Sequence, residues 1–315
     1  MNEPLRVSIL KTLAFFDIFD YPLTSQELHT WLWSYEDFIV ERDFLKFLDS
    51  LKQNGELELV SGYVVLPGRG AIVHIRQQKI WLLEKKMEIA RKGIRKLRWV
   101  PFVRAVFVCN TLAFAWPKKD SDIDVFIVTK AGRLWISRFL VSCILSLFGL
   151  RRGKTKIQDK LCLSFYVTDN ALDISDLVLE EADIYLVYWL ARLLPVYDPS
   201  QVYSQIMDAN VWIKKYLSQA SFGYRVAPGW IVPEAKAQKR ARHFFEVMWE
   251  GKYGNFLEDQ ARSLQRAKMS RNTNSVQNEP DTRVVINDSR LKFHENDRRA
   301  QFKSAWEARC GALGV

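Results

Sequence analysis

The sequence predicts an α/β protein of the α+β kind, a small mixed sheet flanked by helices at both ends of the chain. Three observations carry that expectation. Residues 103–108, 122–128 and 161–167 are short, almost wholly apolar runs that read as buried strands. The first 70 or so residues show helical spacing three times before a strand–turn–strand signal, and the chain beyond Asp173 is mainly helical in pattern. With 315 residues, 48% of them hydrophobic, there is ample chain for a sizeable core and about two domains.

Residues 5–19 carry apolar side chains at helical spacing, and Tyr21-Pro22 stops them. Thr24-Ser25-Gln26-Glu27 is a capping box that opens a helix through Leu28, Trp31 and Leu32. A third helix is expected over 38–51, with Phe38, Phe44, Leu45, Leu48 and Leu51 as its apolar stripe. Leu57-Glu58-Leu59-Val60, Ser61-Gly62 and Tyr63-Val64-Val65-Leu66 then read as strand, turn and strand. Three helices and a β-ribbon resemble a winged helix, assigned to residues 1–72. Its third helix sets Arg42, Lys46 and Lys52 against Glu41, Asp43 and Asp49, whereas a phosphate-contacting helix is visibly basic. A packing or protein-contact role is favoured, and a winged-helix DNA-binding regulator is kept as an alternative.

Residues 73–100 form a connecting element with a helix over 74–99. Nine basic residues between Arg76 and Arg98 face only Glu84 and Glu88. A second basic cluster, Arg151, Arg152, Lys154, Lys156 and Lys160, is opposed only by Asp159, and the whole chain carries +10. Both patches suit polyanionic partners, nucleic acid on the basic helix among them, although a solvated helix face explains the first equally well. Residues 101–175 are the expected α/β core, with a helix over 133–150. Helices over 183–194, 199–217 and 234–269 fill a helical region assigned to 176–269. A polar linker spans 270–282, and a segment over 283–315 ends the chain with strand-like Arg283-Val284-Val285-Ile286 and a short helix to Arg309. The apolar run 139–150 is shorter than the roughly 20 residues of a bilayer span, so no transmembrane segment is expected. Four scattered cysteines without a CxxC pair, and a start lacking signal-peptide layout, make the cytoplasm the expected compartment.

Asp122 and Asp124 are the candidate catalytic and metal-binding residues. Two apart on a strand, they leave the same face, and the strand continues as Val125-Phe126-Ile127-Val128, apolar on both sides and hence central. Two carboxylates at the mouth of a buried strand offer hard oxygens suited to Mg²⁺, which can bridge triphosphate oxygens. Ser121, just before them, would cap a turn or bond one carboxylate. His294 with Asp297, Arg298 and Arg299 is read as a hydrogen-bonded surface turn rather than an acid–base cluster, and Lys118 and Lys119 as a solvated loop. No Walker loop, dinucleotide glycine fingerprint or Ser-His-Asp arrangement is visible.

Val103-Arg104-Ala105-Val106-Phe107-Val108-Cys109-Asn110-Thr111-Leu112-Ala113-Phe114 reads as strand, tight turn and helix start, and Ser121-Asp122-Ile123-Asp124 follows closely. This layout resembles the nucleotidyltransferase superfamily of DNA polymerase beta type, in particular a bacterial subgroup with a winged-helix-like start. Specific motifs cover roughly residues 100–170; Gly132-Arg133-Leu134-Trp135 and Leu194-Pro195-Val196-Tyr197-Asp198 match more loosely. The resemblance implies a nucleotidyltransferase core in which a Gly-Ser turn at a helix N-terminus holds triphosphate. Here Asn110 and Thr111, with Ser121, take the nucleotide-binding positions. The implied activity is Mg²⁺-dependent transfer of a nucleoside monophosphate from an NTP, ATP being the expected donor, to an unidentified hydroxyl acceptor with release of pyrophosphate. Two departures matter. Asn110 replaces the turn glycine, and it tolerates left-handed geometry better than most residues. The family's third carboxylate has no counterpart on 161–167, where Ser164 takes its expected place and Asp169 and Asp173 lie just beyond. The alternative is a catalytically degenerate nucleotide-binding or scaffolding module of the same fold.

Overall fold

The structure, a computed structural model, describes residues 2–179, 182–221, 226–272, 275–277, 279 and 281–315. Helix α1 (Glu3–Asp17) starts where the Asn2 side chain accepts from the Leu5 amide. Strand β1 (Leu23–Thr24) leads into α2 (Ser25–Thr30), where Thr24 and Glu27 form the anticipated reciprocal cap. Helix α3 (Glu41–Gln53) begins later than expected and buries only Phe44, Leu48 and Leu51. Those positions share one helix face; Phe38 precedes the helix and is 83% exposed, and Leu45 lies off the buried face. Strands β2 (Glu58–Val60) and β3 (Tyr63–Val65) complete a three-stranded antiparallel sheet in the order β1-β3-β2.

Two helices, α4 (Ala71–Gln78) and α5 (Ile80–Leu97), replace the single basic helix. They serve different cores. Ile72 and Val73 pack under the small sheet, whereas Met87, Ala90, Ile94 and Leu97 pack on the large one, and one straight helix cannot present both faces.

The chain continues through β4 (Val103–Val108), α6 (Asn110–Ala113), β5 (Ile123–Thr129), α7 (Leu134–Leu147), β6 (Leu161–Thr168), α8 (Ile184–Ala191) and β7 (Leu194–Tyr197). It ends with α9 (Val202–Ala209), α10 (Lys236–Met248), α11 (Gly251–Ser270), β8 (Val284–Ile286), β9 (Arg290–Phe293) and α12 (Arg299–Ala312). Six strands form an open mixed sheet in the order β7-β4-β5-β6-β9-β8. Only β5 and β6 run parallel, and α7 is their crossover, as a parallel pair requires.

Three expectations fail at element ends. The helix expected over 183–194 stops at Ala191, and Leu194-Pro195-Val196-Tyr197 pairs with β4 as an edge strand, where a proline is tolerated. The helix over 199–217 ends at Asn210, whose side chain bonds Ile174 and Leu172 backbone groups instead. The helix over 234–269 divides, with Gly251 at a positive φ of 71° and the Arg133 guanidinium donating to the Trp249 carbonyl. Strand β9 was not anticipated. Of the expected linker 270–282, Thr273, Asn274, Asn278 and Pro280 lie outside the described residues.

The large sheet is covered on both faces. Val106, Val125, Ile127 and Tyr166 face α5 and α7. Phe107, Phe126 and Phe165 face a second core that also holds Phe15, Phe16, Tyr188 and Trp306. The residues of 1–72 therefore share a core with the sheet. Among the described residues no helix is long and apolar enough to cross a membrane.

Candidate functional site

Strand β5 positions the carboxylates through its own alternation. Val125 and Ile127 belong to the core under α5 and α7, so Asp124, Phe126 and Val128 face the other side. Asp122 immediately precedes the strand. Across the parallel ladder Asp124 stands opposite Cys162, and ligand atoms of Asp122, Asp124 and Cys162 all lie within 4.8 Å of one another. The pairing then skips a residue, from Asp124↔Cys162 to Phe126↔Phe165, so β6 carries an extra residue there. That bulge is why Cys162, and not Leu163, stands opposite Asp124; Ser164, expected to take the third carboxylate's place, does not. Neither later acid reaches in. The Asp169 carboxylate accepts from the Ala131 amide at 2.9 Å, and that of Asp173 accepts from the Ser175 amide at 2.8 Å.

Burial, and then the charge of Asp122, push the Asp124 carboxyl up to about 6, against hydrogen bonds from Asn110 and Cys162 and the charge of Arg152. Burial and the Asp124 charge push the Cys162 thiol up to about 12, so it is a neutral thiol near neutral pH. Arg152 closes the group: its Nε lies 3.0 Å from Asp122 Oδ2, and its Nη1 donates to Cys162 Sγ at 3.3 Å. Two carboxylates offer hard oxygens of the kind that suit a divalent cation such as Mg²⁺. A protonated thiol does not, since sulfur prefers softer metals.

Asn110 adopts the left-handed conformation at φ 55° and begins α6. The Trp189 indole Nε1 donates to its Oδ1 at 2.8 Å, which turns the amide nitrogen toward Asp124. The preceding Cys109 amide donates to the Asp124 carbonyl at 3.1 Å, so turn and carboxylate strand are joined directly. Thr111 is exposed and borders a separate apolar hollow with Phe16, Tyr21, Phe114 and Tyr185. The Ser121 hydroxyl donates to the Lys118 carbonyl at 2.9 Å, and the Ser121 carbonyl accepts from Lys86 Nζ at 2.6 Å. Asp122, Asp124 and Asn110 thus converge, whereas Ser121 shapes the turn and Thr111 lines other space.

Sequence reasoning missed several neighbours. Lys86, one of the nine basic residues of 76–98, is fully buried and also bonds Asp159 at 2.9 Å. The segment 292–299 is no surface turn. Arg299 pairs with Asp183 at 2.9 Å and with Asp297, and Lys292 pairs with Asp297 at 3.1 Å. Although burial opposes it, Arg299 holds the Asp297 carboxyl down at about 2. His294, pushed down to about 4 by burial and Lys292, has a sealed Nε2 without a hydrogen-bond partner among the described residues. Lys292, His294, Asp297 and Arg299 line a cavity of 440 Å³ with Asn110, Arg152, Phe165 and Trp189. The alternation of charged and apolar residues over Arg290-Leu291-Lys292-Phe293 was the one local signal for this strand. Comparison with protein-family models, curated proteins and solved structures gives no match.

Proposed function

We propose that the chain is a Mg²⁺-dependent nucleotidyltransferase, moving a nucleoside monophosphate from an NTP to a hydroxyl acceptor. The observation that carries this reading is the meeting of the Asp122–Asp124 pair with a left-handed strand-to-helix turn at Asn110. Asp122 and Asp124 would hold Mg²⁺, which neutralises triphosphate charge. The Asn110 side chain and adjacent backbone amides would orient phosphate oxygens. The aromatic and basic cavity beside Asn110 and Arg152 gives room for the rest of a nucleotide. In the transfer, the acceptor oxygen bonds to the α-phosphorus as the bond to pyrophosphate breaks; pyrophosphate leaves with the bonding electron pair and the hydroxyl proton passes to solvent water. In this reading residues 1–72 form a winged-helix-like unit built onto a nucleotidyltransferase core. Its α3 carries Glu41 and Asp43 in the first turn, which supports packing over DNA contact.

The test is to incubate purified protein with labelled NTPs, Mg²⁺ and a panel of hydroxyl acceptors. Transfer that is lost in both Asp122→Asn and Asp124→Asn is expected. Mg²⁺-dependent binding of nucleotide with no transfer to any acceptor would sink the enzyme.

A second reading, nucleotide binding without turnover, is favoured by Cys162. The hydroxyl proton needs an acceptor, and among the described residues no third carboxylate joins the pair. Calorimetric titration with ATP, with and without Mg²⁺, reads binding apart from chemistry.

A further inference from the structure

We infer that the molecule carries a binding groove for a single-stranded nucleic acid, running from Arg152 past the gap in β6 pairing at 162–164 to the end of α11. Two adjoining hollows of 760 and 900 Å³ form it, sharing Arg138, Arg151, Lys154, Lys268 and Phe293. Arg152 belongs to the first and Arg271 to the second, and no Asp or Glu lines either among the described residues. Arg151, Lys154, Lys268 and Arg271 make no ion pair among the described residues, so four cations stand uncompensated around one concavity. They come from two separate stretches of chain, and Arg138 from a third, which only folding brings together.

The floor of the groove is built to meet a ligand. Strand β9 pairs with β6 only at Phe165, Tyr166 and Val167, and the Arg151 segment bridges Leu161 at the start of the strand, which leaves a gap at 162–164 on that side. There Ser164 is 6% exposed and its hydroxyl has no hydrogen-bond partner among the described residues. The Arg138 Nε on the wall is likewise sealed and unpartnered, and its guanidinium lies 5.0 Å from the Phe293 ring centroid. Exposed Phe139 and Leu264 add apolar surface beside the cations.

Cations in a line with apolar and aromatic faces between them match a strand whose phosphates repeat and whose bases are unstacked. A triphosphate needs fewer cations than this. A membrane needs a convex apolar face, whereas this surface is concave. At its inner end Arg152 touches Asp122 at 3.0 Å, so a strand lying here brings its terminus to the carboxylates. Naming that terminus as the hydroxyl acceptor rests on the nucleotidyl-transfer reading; the groove itself does not.

The experiment is fluorescence anisotropy of the full chain with labelled single-stranded RNA and DNA of about 15 nucleotides across a salt series. Lys154→Glu/Lys268→Glu is expected to weaken binding at least tenfold and to flatten its salt dependence. Lys92→Glu/Arg95→Glu, the same charge change on exposed α5 residues, is expected to alter affinity less than threefold. Equal losses in the two variants, or a larger loss in the α5 variant, would overturn the groove. So would displacement of the strand by inorganic tripolyphosphate or phosphatidylserine vesicles at equal phosphate concentration. A strand that binds in the groove but is never extended by NTP would count against nucleotidyl transfer alone. Transfer to some other hydroxyl, with no strand binding, would overturn the groove alone.

Discussion

Asp124 is a carboxylate held away from water beside another carboxylate, and both features penalise its charge. Its folded pKa of about 6 exceeds the ordinary 3.8, so between those values the folded state holds a proton that the unfolded state has released. Below about pH 4 both states are protonated and the group contributes nothing. Stability then falls as pH climbs toward 6 and is flat above, by at most about 3 kcal/mol at about 1.4 kcal/mol per unit. Asp124→Asn is therefore expected to stabilise the metal-free protein above pH 6 and to leave it unchanged near pH 4. Urea unfolding at the two pH values checks this, and the same gain at both would refute it. Mg²⁺ should raise the unfolding midpoint of the parent at neutral pH and leave that of Asp124→Asn unmoved. Cys162 gives the second prediction at this scale. Cys162→Asp places a hard ligand where the neutral thiol stands, and Mg²⁺ affinity measured by calorimetry should rise about tenfold or more. No change would mean that Cys162 does not face the ion. The Asp pair was legible because period-2 alternation is a local property of the chain. Cys162 was hidden by the β6 bulge, which shifts the register by one residue and leaves no mark in residue spacing.

At the scale of elements, α5 holds the carboxylate loop through one side chain. Lys86 is fully buried and joins the Ser121 carbonyl to Asp159, while the Asp159 amide also bonds that carbonyl. Lys86→Met removes the cation and leaves both acceptors facing a methyl group. The expected loss is about 3 kcal/mol in urea unfolding, the lower end for breaking a buried pair from one side. Mg²⁺ or nucleotide affinity should fall with it as the loop slackens; a variant as stable as the parent would show the clamp to be incidental. The corner between α10 and α11 is the other sensitive point. A Cβ on Gly254 would overlap the Trp249 carbonyl and sit 2.9 Å from the Arg133 guanidinium. Gly254→Ala should destabilise by about 3 kcal/mol or more, read from the thermal midpoint. Capping signals such as Thr24 with Glu27 could be read directly, because both partners lie within one turn. The division of the basic helix into α4 and α5 could not, because the two faces answer to different sheets.

On the scale of the whole molecule, one core ties the first residues to the last. Trp306 of α12 donates its indole N–H to the Lys11 carbonyl at 2.9 Å and meets Trp33 edge-on at 5.7 Å. Phe15 stacks on Tyr188 of α8 in the same core. Trp306→Ala should cost about 3–5 kcal/mol, the usual price of an aromatic cavity. Because the core is shared, near-UV circular dichroism and far-UV helix loss should report a single coincident transition; separate transitions would show that residues 1–72 unfold on their own.

What the sequence determined by itself is everything set by near neighbours: the mixed α/β class, the capped α2, the buried strands β4, β5 and β6, and the Asp-x-Asp pair at a strand mouth. Each rests on side chains a few residues apart, where periodicity and capping act. Tertiary structure alone decided what surrounds that pair. Arg152 and Cys162 reach it through the pairing of β6 with β5, Trp189 orients Asn110 from α8, and Lys292, His294 and Arg299 arrive on a strand and helix from the far end of the chain. Such contacts depend on strand register and sheet order, which follow from the burial of whole faces and leave no local pattern to read.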